Sequence, residues 1–278
     1  MTERFLLPAV SSLEALFLAL RAQLDPELSQ AKPVKHGKTY PLGQCLEISL
    51  AMKARLGQLD PSSLKGTSLQ GHAALTAFLR HGGRLRQVWG DLRGEYFQNA
   101  FLAGTLYIDV SNDTVVRTKP PVEILPLPDA RFTPVEDYAH YARTASRYWG
   151  AHVFPNHVAP ALAPYFPLIT ATPGGNVRFQ ACYDYMIALT ERGEFRPGEA
   201  VLHVPPMKED LFRMLAPCLA GSSFGVAADP VQGQALALQY CRKYRDERWH
   251  HSGQQRTLAV KAVLEANQRL NHLRLQLA

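Results

Sequence analysis

The residue with the clearest chemical potential is Cys45, in the stretch "YPLGQCLEISLAMKARL" (residues 40–56). A thiol attacks as its thiolate, and a helix N-terminus favours that charge through aligned dipoles and free N–H groups. The same N–H groups can hold an oxyanion formed on attack. In "PLGQC" Gly43 permits a tight turn and Cys45 falls in the first turn of the helix that follows. A nucleophile of this kind also needs a base, usually histidine, oriented by a carboxylate or amide. The competing reading makes Cys45 a small apolar residue packed against its neighbours.

Several other groupings invite chemistry. Arg84 and Arg86 in "GRLRQVWG" would share one face of a strand, either as an anion-binding surface or as a solvated strand face. His152 and His157 stand five apart in "HVFPNH", and His72 and His81 nine apart, but none matches HExxH spacing. No metal site and no cofactor are expected. Among the histidines, His72, His152 and His157 are the candidates for a replacement base. "ATPGGNVRF" (171–179) offers a Gly-Gly turn with no P-loop lysine after it. "CRKYRDERWHH" (241–251) interleaves Arg242, Lys243, Arg245 and Arg248 with Tyr244 and Trp249, a mixture that can grip a nucleic-acid backbone. Asp246 and Glu247 inside it can instead pair with the basic residues at helical spacing.

The elements around these residues follow from periodicity. "SSLEALFLALRAQL" reads as an amphipathic helix capped at Ser11 or Ser12, with Leu13, Leu16, Phe17 and Leu20 in one stripe. A loop is expected from Asp25 to Gly43. The helix from Gln44 carries Leu46, Ile48, Leu50, Met52 and Leu56, and should end at a left-handed Gly57. "SLQGHAALTAFLRHGG" gives another helix. Three antiparallel strands are predicted at about 84–91, 94–102 and 105–110. Five prolines between 120 and 134 then mark the best domain boundary. Beyond it the chain is mainly helical: a helix capped at Thr133, shorter helices in "NVRFQACYDYMIALTERG" and "PMKEDLFRMLAPCLAG", an isolated strand at 199–204, and a C-terminal helical hairpin broken near Gly253.

This order of elements resembles the transglutaminase-like branch of the papain-type cysteine enzymes. The resemblance covers residues 40–113. It lies in a cysteine at a helix start, "GRLRQVWG" (83–90) as the strand after it, and "GTLYIDVSND" (104–113) as the strand ending in an acid. It implies that Cys45 attacks an acyl carbon and that Asp109 orients a base. The family's histidine position falls at about Glu95, with Phe97 near the usual tryptophan, and no histidine occurs between His81 and His140. Glu95 is thus an unconventional base or a mark of lost catalysis. Gln44, Trp89 and Gln98 are the candidate substrate-binding residues.

The whole chain sets the remaining bounds. It has 278 residues, 30 Lys and Arg against 24 Asp and Glu, and a net charge of +6, a mild bias toward anionic partners. Cys45, Cys182, Cys218 and Cys241 form no CxxC and read as free thiols. No apolar run approaches the roughly 20 residues of a membrane span, and no leader pattern opens the chain. The expectation is therefore an α+β cytoplasmic protein. Residues 1–128 would form a papain/transglutaminase-like half with a small antiparallel sheet, and residues 129–278 a mainly helical half. The first functional reading is a cysteine-dependent hydrolase or acyltransferase acting on an amide, thioester or related acyl bond of a small molecule or protein. The alternatives are a non-catalytic binding or scaffold protein, and a nucleic-acid-associated protein using residues 242–251. Neither a membrane nor nucleic acid is the expected partner under the first reading.

Overall fold

The structure, a computed structural model, describes residues 1–35, 37–180 and 184–276. It is an α+β protein with small antiparallel sheets, an N-terminal helical layer and a largely helical C-terminal part. The chain divides into two units, Met1–Pro134 and Val135–Ala278.

In the first unit, helix α1 (Val10–Ala31) buries Leu13, Leu16, Phe17, Leu20 and Leu24, the expected stripe extended by one turn. It starts at Val10 rather than Ser11 and runs on through Pro26, where a loop was expected. Proline in a helix interior removes one i→i−4 bond and crowds the preceding turn, yet burial of the stripe outweighs that local penalty. The stretch Thr2–Ala31 has an 18-residue window of mean hydropathy 1.6, so length and composition alone would let it cross a membrane. This corrects the expectation that no segment reaches that length. The stripe itself packs in the core of the unit, with Ile48, Met52, Phe78, Phe101 and Ile108.

Helix α2 (Cys45–Gly57) buries Ile48, Ser49 and Met52, while Leu46 and Leu50 point outward. The predicted five-residue apolar set was too broad, because Leu46 and Leu50 lie on the opposite side of the helix from Ile48 and Met52. Gly57 is the last helical residue, not a left-handed cap. Helix α3 (Gly66–Arg80) completes the layer.

The sheet is formed by β1 (Leu85–Leu92), β2 (Tyr96–Ala103), β3 (Leu106–Asp109), β4 (Glu123–Pro126) and β5 (Phe132–Pro134), in the order β4-β3-β2-β1-β5. The three predicted strands are present within two residues of their expected bounds. The proline-rich segment supplies both edge strands, and the two units divide at its end, after Pro134. Proline is tolerated there because an edge strand leaves one row of amides unpaired.

Register fixes which side chains share a face. Trp89 pairs with Asn99, Phe101 with Ile108 and Leu102 with Tyr107. Leu85, Phe101, Ala103, Leu106 and Ile108 therefore face the helices, and all join their core. The opposite face carries Arg86, Gln98, Ala100, Leu102, Tyr107 and Asp109. It is curled inward. Flat, five strands would hold β4 and β5 about 19 Å apart. Only residues 127–131 connect them, and Leu127–Ala130 form a helical turn that rises only about 1.5 Å per residue. Two contacts join the strands across this inner face. Tyr107 on β3 meets Phe132 on β5 with ring centroids 5.4 Å apart, and Arg93 in the β1–β2 turn pairs with Glu123 on β4 at 2.9 Å. Gly90 makes the closure possible, since a Cβ there would lie 2.3 Å from the Thr133 carbonyl oxygen.

The second unit has its own core, centred on Phe166, Ile169, Phe179, Phe195, Leu215 and Val263. Its helices are α4 (Tyr138–Trp149), α5 (Asp184–Arg192), α6 (Arg196–Leu202), α7 (Glu209–Leu219), α8 (Pro230–Asp246) and α9 (Gly253–Leu270). Helix α4 is capped by Asp137, which accepts from the His140 amide, and not by Thr133, which lies in β5. Residues 199–204 were expected as a strand; Glu199–Leu202 instead close helix α6. A three-stranded antiparallel sheet of β6 (His152–Pro155), β7 (Leu168–Ala171) and β8 (Val177–Phe179) was not anticipated. Strand β8 occupies the start of the helix expected from Asn176, and Cys182 lies outside the described residues.

Candidate functional site

Cys45 is the first residue of α2, after Gln44 at the N-cap and Gly43 at φ +73°. The loop before it is held by the Gly43 amide, which donates to the Thr114 carbonyl at 2.8 Å. A second tie lies beneath it. The fully buried Arg21 guanidinium donates to Asp113 and Asp25 at 3.1 and 2.8 Å and to the Val110 carbonyl, and Tyr40 donates to Asp25 at 2.6 Å. The loop after β3 thus fixes where α2 starts.

The sulfur of Cys45 accepts from the Asn99 side-chain amide at 3.4 Å, and Ser49, one turn along α2, donates to the Asn99 carbonyl at 3.2 Å. Burial pushes the Cys45 thiol up, against the smaller opposing pull of the Asn99 donors. Among the described residues no histidine or carboxylate hydrogen-bonds to this sulfur. The position is half-buried, with Trp89 directly across from Asn99 in the sheet and stacked on Phe97 at 4.7 Å between centroids. Lys32 and Lys35 both pair with Glu47 near the same helix start, at 2.7 and 2.9 Å.

Asp109 makes no hydrogen bond to the sulfur, although its charge is near enough to push the thiol up further. It stands on the inner face of the curled sheet, fully buried, and is surrounded by donors: Gln98 at 2.7 Å, Tyr107 at 3.2 Å, and the Ser111 amide and hydroxyl at 2.8 and 3.2 Å. Burial raises its carboxyl to about 6, although every one of these hydrogen bonds pulls the other way. Burial likewise pushes the Tyr107 hydroxyl far up.

The structure therefore sorts the six candidates into four places. Cys45 and Trp89 lie together on the helix-facing side. Asp109 and Gln98 lie together on the inner side, because residues 98 and 99 alternate across the sheet. Glu95 is exposed in the β1–β2 turn, four residues from Asn99, or about 13 Å along the strand. That removes Glu95 as a base for Cys45, which would need hydrogen-bond reach. Gln44 is fully buried and donates to the Lys32 carbonyl at 2.9 Å. Its side-chain oxygen has no hydrogen-bond partner among the described residues.

The replacement bases fare no better. His157 is fully buried in the second unit with both ring nitrogens engaged, by the Met207 amide at 3.1 Å and the Leu202 carbonyl at 3.0 Å. His152 lies on β6, and His72 on α3. Among the described residues no three His, Cys, Asp or Glu side chains gather as a metal site. Asn99 is the residue that sequence reasoning missed. Its signal was the alternation in "YFQNAFLA", which puts Asn99 on the side of Phe97 and Phe101 and away from Gln98.

The basic cluster is mostly committed to structure. Tyr244 and Trp249 pack on each other at 4.1 Å between centroids and on the second core. Arg245 pairs with Glu199 at 2.6 Å. Comparison with protein-family models, with curated proteins and with solved structures gave no match.

Proposed function

We propose that this is a non-catalytic binding protein, in which Cys45 seats the start of α2 against the sheet. The observation that carries this reading is the neighbour of the sulfur. The Asn99 amide can give a hydrogen bond to sulfur, but it cannot take the thiol proton. The acid that would orient a base is bound to Gln98, Ser111 and Tyr107 on the other face of the sheet. Burial holds the thiol in its neutral, weakly nucleophilic form.

The cysteine-enzyme reading keeps one supporting observation. Cys45 is at the first position of a 13-residue helix, with an amide donor 3.4 Å from its sulfur; both features would stabilise a thiolate or an oxyanion. Iodoacetamide labelling of Cys45, followed by peptide mass spectrometry, separates the two. The binding reading predicts labelling at pH 6 slower than that of an unperturbed peptide thiol, with the rise in rate displaced to higher pH than the peptide's. Labelling at pH 6 faster than the peptide thiol would overturn it in favour of the enzyme.

A further inference from the structure

The inner face of the curled sheet ends in an opening at the β2–β3 turn. Two adjoining cavities lie there, and both are lined by Gly104. One, of about 270 Å³, is bounded by Arg84, Arg86, Leu102 and Phe78. The other, of about 480 Å³, is bounded by Leu127, Pro128, Phe132 and Arg131. The first is a cationic cavity with an apolar floor. The second is mainly apolar, beneath the segment that closes the sheet. Register explains the first: Arg86 pairs with Leu102 and Arg84 continues the same face toward Gly104. The mouth of a curled or closed sheet is a common place for small-molecule binding, because strand ends and loops leave a concavity that side chains do not fill.

Arg84, Arg86 and Arg131 take no part in an ion pair or side-chain hydrogen bond among the described residues. Elsewhere in the first unit Arg21 holds two aspartates, Arg55 holds Glu27 and Arg93 holds Glu123. Guanidinium groups present paired donors that suit a carboxylate. Gly104 lines both cavities and packs closely against Thr2. It sits at φ +61°, and a Cβ there would fall 2.0 Å from the Thr2 hydroxyl oxygen.

We propose that this mouth binds a small amphipathic carboxylate, its head on Arg84 and Arg86 and its apolar tail against Leu127, Pro128 and Phe132. This names a ligand class for the binding reading and rests on that reading, but on a cavity separate from Cys45. A reactive thiol would therefore overturn the binding reading without touching this site, and absence of ligand would overturn this site without making the thiol reactive.

The test is calorimetric titration of the full chain with octanoate, octan-1-ol and inorganic phosphate. Octanoate should bind at least tenfold more tightly than either of the others, since each of them supplies half of the recognition. R84A/R86A should weaken octanoate at least tenfold and leave octanol unchanged. Thr105 is exposed at the rim of the apolar cavity, and T105W should block octanoate by filling it. Both variants change exposed side chains, and circular dichroism melts matching the parent confirm that they fold. No octanoate binding at millimolar concentration overturns the proposal. So does octanol or phosphate binding as tightly as octanoate, or octanoate binding indifferent to both variants.

Discussion

At the scale of single residues, two titratable groups, one half-buried and one fully buried, stand on opposite faces of the sheet and behave differently. The Cys45 thiol is kept neutral. Asp109 is raised to about 6 by burial, so it ionises near neutral pH in spite of four donors. The sign of its effect on stability follows from linkage. The folded state holds the proton more tightly than the unfolded state does, so the stabilisation is complete below about pH 4 and is lost as pH rises through 6. The loss is about 3 kcal/mol for a shift of roughly two units. Asp109→Asn should remove this dependence. Urea midpoints measured at pH 4.5 and 7.5 should converge in the variant and fall with pH in the parent, once the other carboxylates are taken into account by the difference between the two proteins.

At the scale of elements, the junction between α1 and the loop after β3 depends on one guanidinium. Arg21 is 1% exposed and bridges Asp25, Asp113 and the Val110 carbonyl. Removing one partner of a buried ion pair strands the other charge, a loss of about 3–5 kcal/mol. Arg21→Met should lower the urea-derived stability by that amount, and Asp113→Asn in the same chain should restore part of it. A stability unchanged in Arg21→Met would show that the pair is solvated. Much at this scale was legible in the sequence. Leu13, Leu16, Phe17 and Leu20 marked the buried stripe of α1, and alternation marked β1, β2 and β3, because both signals arise from local burial. The helix through Pro26 was not legible, since tertiary packing there overrides a local breaker. Nor were β4 and β5, whose proline-rich residues read as a linker until β3 and β1 offer them an edge. Residues 199–202 were misread for a different reason: in "EAVL" only Val201 favours a strand while Glu199, Ala200 and Leu202 are helix formers, and Pro197 at the start of α6 was the neglected helix signal.

For the molecule as a whole, the mild positive charge is spread across both units and gives no concentrated nucleic-acid footprint. Tyr244 and Trp249 pack on the second core, and Arg245 and Lys243 have acidic partners. Fluorescence anisotropy with a 20-base-pair duplex should register only weak association at 20 mM salt, lost by 150 mM, and K243A/R248A should not change it. Binding that survives 150 mM salt and drops in that variant would restore the nucleic-acid reading. The candidate site was legible only in part at this scale. Sequence order brought Cys45, residues 83–90 and residues 104–113 into one unit. It did not reveal on which side of the sheet each side chain would emerge, and that parity, fixed by Asn99 facing Cys45, separates the sulfur from Asp109.

The brevity of the connection from β4 to β5 has a consequence of its own. Five residues, four of them wound into a turn, leave the last strand no slack to reach any neighbour except its own β1. Yet a short hinge invites swapping whenever its turn is strained, β5 then being lent to a second molecule while the vacated Gly90–Leu92 rim accepts one in exchange. The compact turn at Leu127–Ala130 and the left-handed Arg131 that ends it are therefore what keep β5 in its own sheet.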